Sequence, residues 1–182
     1  MADLLLLRPD ELTGEQRELY DELCADRADA SRPAGPVDAE GRLTGPFNAM
    51  LHAPAVGGPL QRLGSALRSS TTLADDVRES IVCLVAGVRG SSYERSAHEP
   101  IARRAGVAGD VLAVLARGEV PPGAGPELRL AHALLTGVTP AGDPGPDPVD
   151  EIGPGGVLEV STLVGYYTTL AWQLRLFGVE DS

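Results

Sequence analysis

With 182 residues, 43% of them hydrophobic, the chain suits one domain with a real core. Aromatic residues make up only 4%, so that core must be built from Leu, Val, Ala and Ile. A formal net charge of −11 and a pI near 4.6 exclude the basic footprint of a nucleic-acid binder and any attraction to anionic membrane surfaces.

Along the chain the pattern is helical nearly throughout. Thr13 followed by Glu15 and Gln16 opens a charged helix running to about Arg27, with Leu12, Leu19 and Leu23 as its apolar stripe. Residues 31–46, SRPAGPVDAEGRLTGP, read as a Pro/Gly-rich loop. A short helix over 47–52 stops before Pro54, and 55–68 forms the next, with Ser69, Ser70, Thr71 and Thr72 offering caps. The segment 73–88 is apolar almost all round, which predicts a central helix, and Gly90 breaks it. The helix over 91–105 carries Pro100, where a kink or a restart is expected. Gly106 ends it.

A short helix over 110–117 closes at Gly118, and 127–135 forms another. Residues 139–150, TPAGDPGPDPVD, lack core-forming side chains and read as a linker. Gly155 and Gly156 lead into a long apolar helix over 157–177. It contains Glu159, Gln173 and Arg175, so it reads as a core or subunit-interface helix and not a membrane span. There are no alternating β-branched runs that would predict a sizeable sheet. The expected fold is all-α, a compact bundle of about seven or eight helices, in one domain over 1–182 with an N-terminal helix and loop (1–42) and a core (43–177).

The two cysteines, Cys24 and Cys83, are far apart, and no C-x-x-C occurs. That leaves no zinc ribbon or thioredoxin-like motif. Cys83 in IVCLVAG reads as a small buried hydrophobe. Two unpaired thiols fit a reducing cytoplasm, and MADLLLLRPDEL lacks the basic region of a signal peptide.

The segment GSSYERSAHEP follows the central helix directly and places Ser91, Glu94 and His98 at i, i+3 and i+7, on one helical face. Glu94 stands four residues before His98, the spacing at which a carboxylate holds an imidazole in one tautomer. Such a pair can move protons, although Glu–His at this spacing also serves as an ordinary solvated face. Glu79 precedes Ser91 by twelve residues. If Glu79 and Glu94 both approached His98, the shared site would hold an acid and a base together.

At these residues the chain resembles the carboxymuconolactone decarboxylase and alkylhydroperoxidase-like family. The redox branch of that family carries a glutamate on one helix and, twelve residues on, a Cys-x-x-Cys-x-x-x-His motif opening the next. Glu79 and His98 match the glutamate and the histidine. Ser91 and Glu94 stand where the two cysteines would be, so the resemblance is to a branch lacking the dithiol. LTGPFNAMLHAP at 43–54 and LVGYYTTLA at 163–171 extend the match to most of 43–177. The resemblance implies an alkylhydroperoxidase-like bundle, assembly of subunits into trimers, hexamers or similar rings, and decarboxylation as the reaction. Neither serine nor glutamate cycles through a disulfide, which removes the peroxidase chemistry.

His98, Glu94 and Glu79 are therefore the candidate acid–base residues. Ser91, Tyr166, Tyr167, His52 and Phe47 are the candidate substrate contacts. His52 has an alternative role at a helix C-terminus, where it favours the dipole, and His132 reads as structural. Arg62, Arg68 and Arg78 are three candidate anchors for a substrate carboxylate, and the sequence does not choose among them. Metal ligation would ordinarily need a second histidine beside Glu79, Glu94 and His98. No metal and no cofactor are expected.

Three readings remain open. The first is a cofactor-free acid–base enzyme acting on a small carboxylated or lactone-like metabolite, a decarboxylase-type lyase or an isomerase. The second is a non-catalytic, oligomeric small-molecule-binding protein. The third is a residual peroxide-related antioxidant.

Overall fold

The computed structural model describes residues 4–26, 37–137 and 147–179. Arg27, residues 31–36 of the Pro/Gly-rich loop and residues 139–146 of the expected linker lie outside the described residues. The helices are α1 (Gly14–Asp26), α2 (Phe47–Leu51), α3 (Pro54–Ser69), α4 (Asp75–Arg89), α5 (Ser92–Arg104), α6 (Gly109–Leu115), α7 (Pro126–Thr136) and α8 (Pro148–Leu176), with a 3-10 turn at Pro9–Glu11. Among the described residues the one isolated β-bridge joins Val37 and Leu43, and there is no strand. The fold is all-α.

The described residues group into two units, one drawn from Met1–Ser70 and Gln173–Ser182, the other from Thr71–Trp172. In the first, α1 buries Leu19 and Leu23 and packs on α2 and α3. Polar contacts reinforce it. Asp26, the last residue of α1, accepts from Gln61 Nε2 at 2.7 Å, Ser65 Oγ at 2.8 Å and Arg68 at 2.7 Å on α3. Gln16 Nε2 donates to the Leu51 carbonyl at 3.0 Å. Asn48, fully buried, exchanges hydrogen bonds with the backbone of Leu7.

In the second unit α4 is central, packing against α5, α6 and α7. Its first turn carries Asp75 and Asp76, which favour the positive end of the helix dipole. Every residue from Glu79 to Ala86 is buried, as its all-round apolar character predicts. Gly90 ends it at φ +69°, a left-handed conformation suited to glycine. In that turn the Ser91 N–H donates to the Ala86 carbonyl at 2.9 Å, which turns the chain directly into α5.

Two local expectations are corrected. Helix α5 runs through Pro100 without a restart. The carbonyl that proline leaves unpaired, that of Ser96, belongs to an exposed residue, where water can satisfy it. Residues 148–150, read as linker, form the first turn of α8. That helix is in fact interrupted: Gly153, at φ 67° and ψ 176°, separates 148–152 from 154–176, and Pro154 restarts it at a position that needs no N–H partner. Among the described residues no helix is long and apolar enough to cross a membrane.

Gly87 permits the close approach of α4 and α6. A Cβ there would lie 2.1 Å from the Leu115 carbonyl oxygen and 3.0 Å from the Gly118 nitrogen, both backbone atoms that cannot swing aside. Gly87→Ala should therefore destabilise the protein, by roughly 1–3 kcal/mol of overpacking, despite alanine's helix propensity advantage of about 1 kcal/mol. A urea midpoint equal to or above wild type would contradict this close approach.

Candidate active site

The site is assembled where α4 meets α5. Ser91 caps α5, its hydroxyl accepting from the Glu94 N–H at 3.3 Å. In a reciprocal capping box the Glu94 carboxylate would return to the Ser91 N–H, but that N–H donates to Ala86 instead. Glu94 Oε2 lies 3.5 Å from His98 Nε2, one helical turn further on. From α4, Glu79 Oε2 lies 2.8 Å from His98 Nδ1. The imidazole is thus held between two carboxylates, tightly on one nitrogen and loosely on the other.

All three groups are buried, Glu79 at 4% exposure, Glu94 at 3% and His98 at 9%. Ionised side chains are rarely buried unless paired, so this polar cluster between α4 and α5 is unusual. An ionised carboxylate only accepts hydrogen bonds, so with Glu79 ionised the ring donates to it from Nδ1. Nε2 is then the nitrogen turned toward Glu94.

Aromatic groups from α8 complete the surroundings. Tyr167 meets the His98 ring edge-on, with centroids 5.1 Å apart at 85°, and Tyr166 meets Tyr167 in the same manner at 5.1 Å. Both tyrosines are buried. An edge-on aromatic neighbour restrains the tilt of the imidazole without occupying either nitrogen.

Phe47 and His52 belong to the first unit, where Phe47 is buried in α2 and His52 Nε2 bonds the Leu5 carbonyl at 2.9 Å, next to the C-terminus of α2. Ser91 is placed as the cap of α5, just outside the helix, and its hydroxyl is engaged there. The three arginines separate clearly. Arg62 pairs with Glu22 and Arg68 with Asp26, both in the first unit. Arg78 lies beside the site, its Nε 3.4 Å from Glu79 Oε1 and its Nη1 2.8 Å from Asp75. Its adjacency to Glu79 in sequence gave no hint of this, since neighbours along a helix do not normally face each other. Among the described residues no group of three or more His, Cys, Asp and Glu side chains is arranged to hold a metal ion.

No family model matches the chain, and no curated protein matches its sequence. A solved structure does. The crystal structure of the debrominase Bmp8, as a cysteine-to-alanine variant in complex with 2,3,4-tribromopyrrole, matches with a TM-score of 0.62 at 12% sequence identity, covering 97% of this chain and 90% of that one. At that identity the likeness concerns the fold, an alkylhydroperoxidase-like arrangement of helices.

Both cysteines are free thiols. Cys83 lies one turn beyond Glu79, and burial, reinforced by the charges of Glu79 and Glu99, pushes its thiol up to about 12. Burial also raises Cys24 above the ordinary thiol range. At pH 8 ionisation alone should slow disulfide-reagent labelling of Cys83 about a thousandfold relative to an unperturbed thiol. Labelling of the native protein, followed by absorbance, should be slow and become complete only after denaturation. Rapid labelling of Cys83 in the native state would contradict its placement.

Proposed function

We propose that the chain is a cofactor-free acid–base enzyme acting on a small carboxylated or lactone-like metabolite, with decarboxylation as its reaction. The observation that carries this reading is the buried imidazole anchored at Nδ1 by Glu79, 2.8 Å away, with Nε2 turned toward Glu94. A histidine held in this way can give and take a proton at one nitrogen while its orientation is maintained at the other. The debrominase that shares the fold holds a brominated pyrrole. That supports a substrate of similar kind, a small, flat, unsaturated ring.

The chemistry follows from these groups. As the carbon–carbon bond to the carboxylate breaks, carbon dioxide leaves and the electron pair moves into the conjugated carbonyl, forming an enolate. Protonated Nε2 of His98 stabilises that oxygen or delivers a proton to the carbon, and Glu94 beside it returns a proton drawn from water to the ring. Isomerisation of a lactone would use the same proton transfers without loss of carbon dioxide. Tyr167 would hold the ring plane.

His98→Ala should lower turnover by roughly 10²–10⁴-fold, the usual contribution of a positioned acid–base group. Arg78 remains to pair Glu79, so the variant should keep its circular dichroism spectrum. Glu94→Gln should lose less, because the amide keeps polar contact while losing the charge. The assay is carbon dioxide release or ring opening across a panel of carboxylated lactones. A folded His98→Ala protein with full activity would defeat the reading. If no substrate in such a panel turns over but one binds, the alternative of a non-catalytic binding protein is favoured instead.

The reading extends to assembly. On α8, Leu158 and Trp172 are exposed at 67% and 49%, fourteen residues apart on one helical face, with exposed Gly165 midway. Such a face suits contact with a second copy. Light scattering should give a mass of at least twice 18.9 kDa at micromolar concentration, and Trp172→Glu should lower it. A monomer in wild type would overturn this part of the proposal.

A further inference from the structure

We propose that Arg78 is a positioning residue for the proton-transfer pair: its guanidinium holds the Glu79 carboxylate in the orientation that presents Oε2 to His98 Nδ1, and so selects the imidazole tautomer. The inference rests on the reading of Glu79, Glu94 and His98 as the working groups, and it adds a residue outside that set.

Four observations carry it. Residues i and i+1 of a helix diverge by about 100° and do not ordinarily meet, yet Arg78 folds back until Nε is 3.4 Å from Glu79 Oε1. The opposite oxygen of the same carboxylate is the one at 2.8 Å from His98. The Glu79 carboxylate is therefore bracketed, guanidinium on one oxygen and imidazole on the other. Second, Asp75, one turn earlier, binds Arg78 Nη1 at 2.8 Å and restrains the guanidinium from its far side. Third, the Arg78 side chain is only 13% exposed while its partner Asp75 is 77% exposed. The arginine is drawn inward toward Glu79 and is not merely solvated beside an acid. Its Nε is buried and makes no hydrogen bond, so the contact with Glu79 is an ion pair that aligns a charge.

Fourth, Arg78 lies near the N-terminus of α4, where the helix dipole disfavours a cation. The dipole therefore does not account for a cation here; its i, i+3 pair with Asp75 supports the first turn, and its burial beside Glu79 aligns it with that carboxylate. Without it, the carboxylate could rotate about its terminal bonds, and the Nδ1 contact that leaves Nε2 facing Glu94 would no longer be favoured over the reverse tautomer.

The test is a nitrogen-15 NMR measurement of the His98 ring, which separates protonated from unprotonated nitrogens and so reads the tautomer directly. The His98 signals are assigned by their disappearance in His98→Gln. In the wild-type protein Nδ1 should read as the protonated nitrogen in the neutral ring. In Arg78→Met, which keeps an apolar stem, the two nitrogen shifts should move toward each other as the tautomers mix. Arg78→Lys should restore part of the wild-type pattern, and Asp75→Asn, at an exposed position, should give a smaller shift in the same direction as Arg78→Met.

A folded Arg78→Met protein with the wild-type His98 pattern overturns the proposal. If that variant does not fold, an unchanged pattern in Asp75→Asn overturns it. Glu79→Gln separates this result from failure of the functional reading. A His98 pattern that changes in Glu79→Gln but not in Arg78→Met removes the role of Arg78 alone. A pattern that changes in neither means that Glu79 does not hold His98, and both readings fall.

Discussion

The contact between Glu79 and His98 is the constraint around which the second unit is organised. It links α4 to α5 through two buried polar groups set among leucine, valine and isoleucine. Removing ionisable side chains from water is costly unless they find partners, and breaking a buried pair typically destabilises by about 3–5 kcal/mol. An apolar pair filling the same space would serve stability as well or better. On the proposed reading, a cluster of two carboxylates, an imidazole and a guanidinium between α4 and α5 has its rationale in chemistry more than in folding. The surroundings answer its needs one by one: Arg78 beside Glu79, the Nδ1 contact for the ring, and Tyr167 against the ring edge.

Much of this was legible before any coordinates. The apolar run of α4, the break at Gly90 and the i, i+4 spacing of Glu94 and His98 are local properties, and local properties survive folding. The twelve-residue offset from Glu79 to Ser91 spans the last turns of α4 and one tight turn. With Gly90 fixed in a left-handed conformation, that offset returns the chain beside α4. What was not legible depends on partners distant in sequence or on competition for a single donor. Ser91 appeared to share a face with Glu94 and His98, yet it is the α5 cap. The S-x-x-E pattern of residues 91–94 is also a capping-box signature, and half of that box is formed. The other half is absent because the Gly90 turn takes the Ser91 N–H for Ala86.

The three arginines illustrate the same limit. Arg62, Arg68 and Arg78 all follow apolar or mixed helical stretches, and charge patterning does not separate them. Only the fold shows that Arg62 and Arg68 answer acids of α1 while Arg78 answers the site. The Asp75–Arg78 pair at i, i+3 was readable as a local interaction, but its consequence for Glu79 was not, because sequence neighbours on a helix point apart. Pro100 marks a further boundary. The helix continues through it without a restart, and the carbonyl it strands belongs to an exposed residue.

The electrostatics around the one thiol of the second unit run against thiol chemistry. A thiolate site needs an environment that lowers a thiol's pKa, with cationic or helix N-terminal groups near the sulfur. The second unit does the reverse to the thiol it retains: Cys83, one turn from Glu79, is surrounded by apolar side chains and faces the negative charges of Glu79 and Glu99. Glu79, which bonds the His98 ring, is thus also one of the charges that hold the Cys83 thiol protonated.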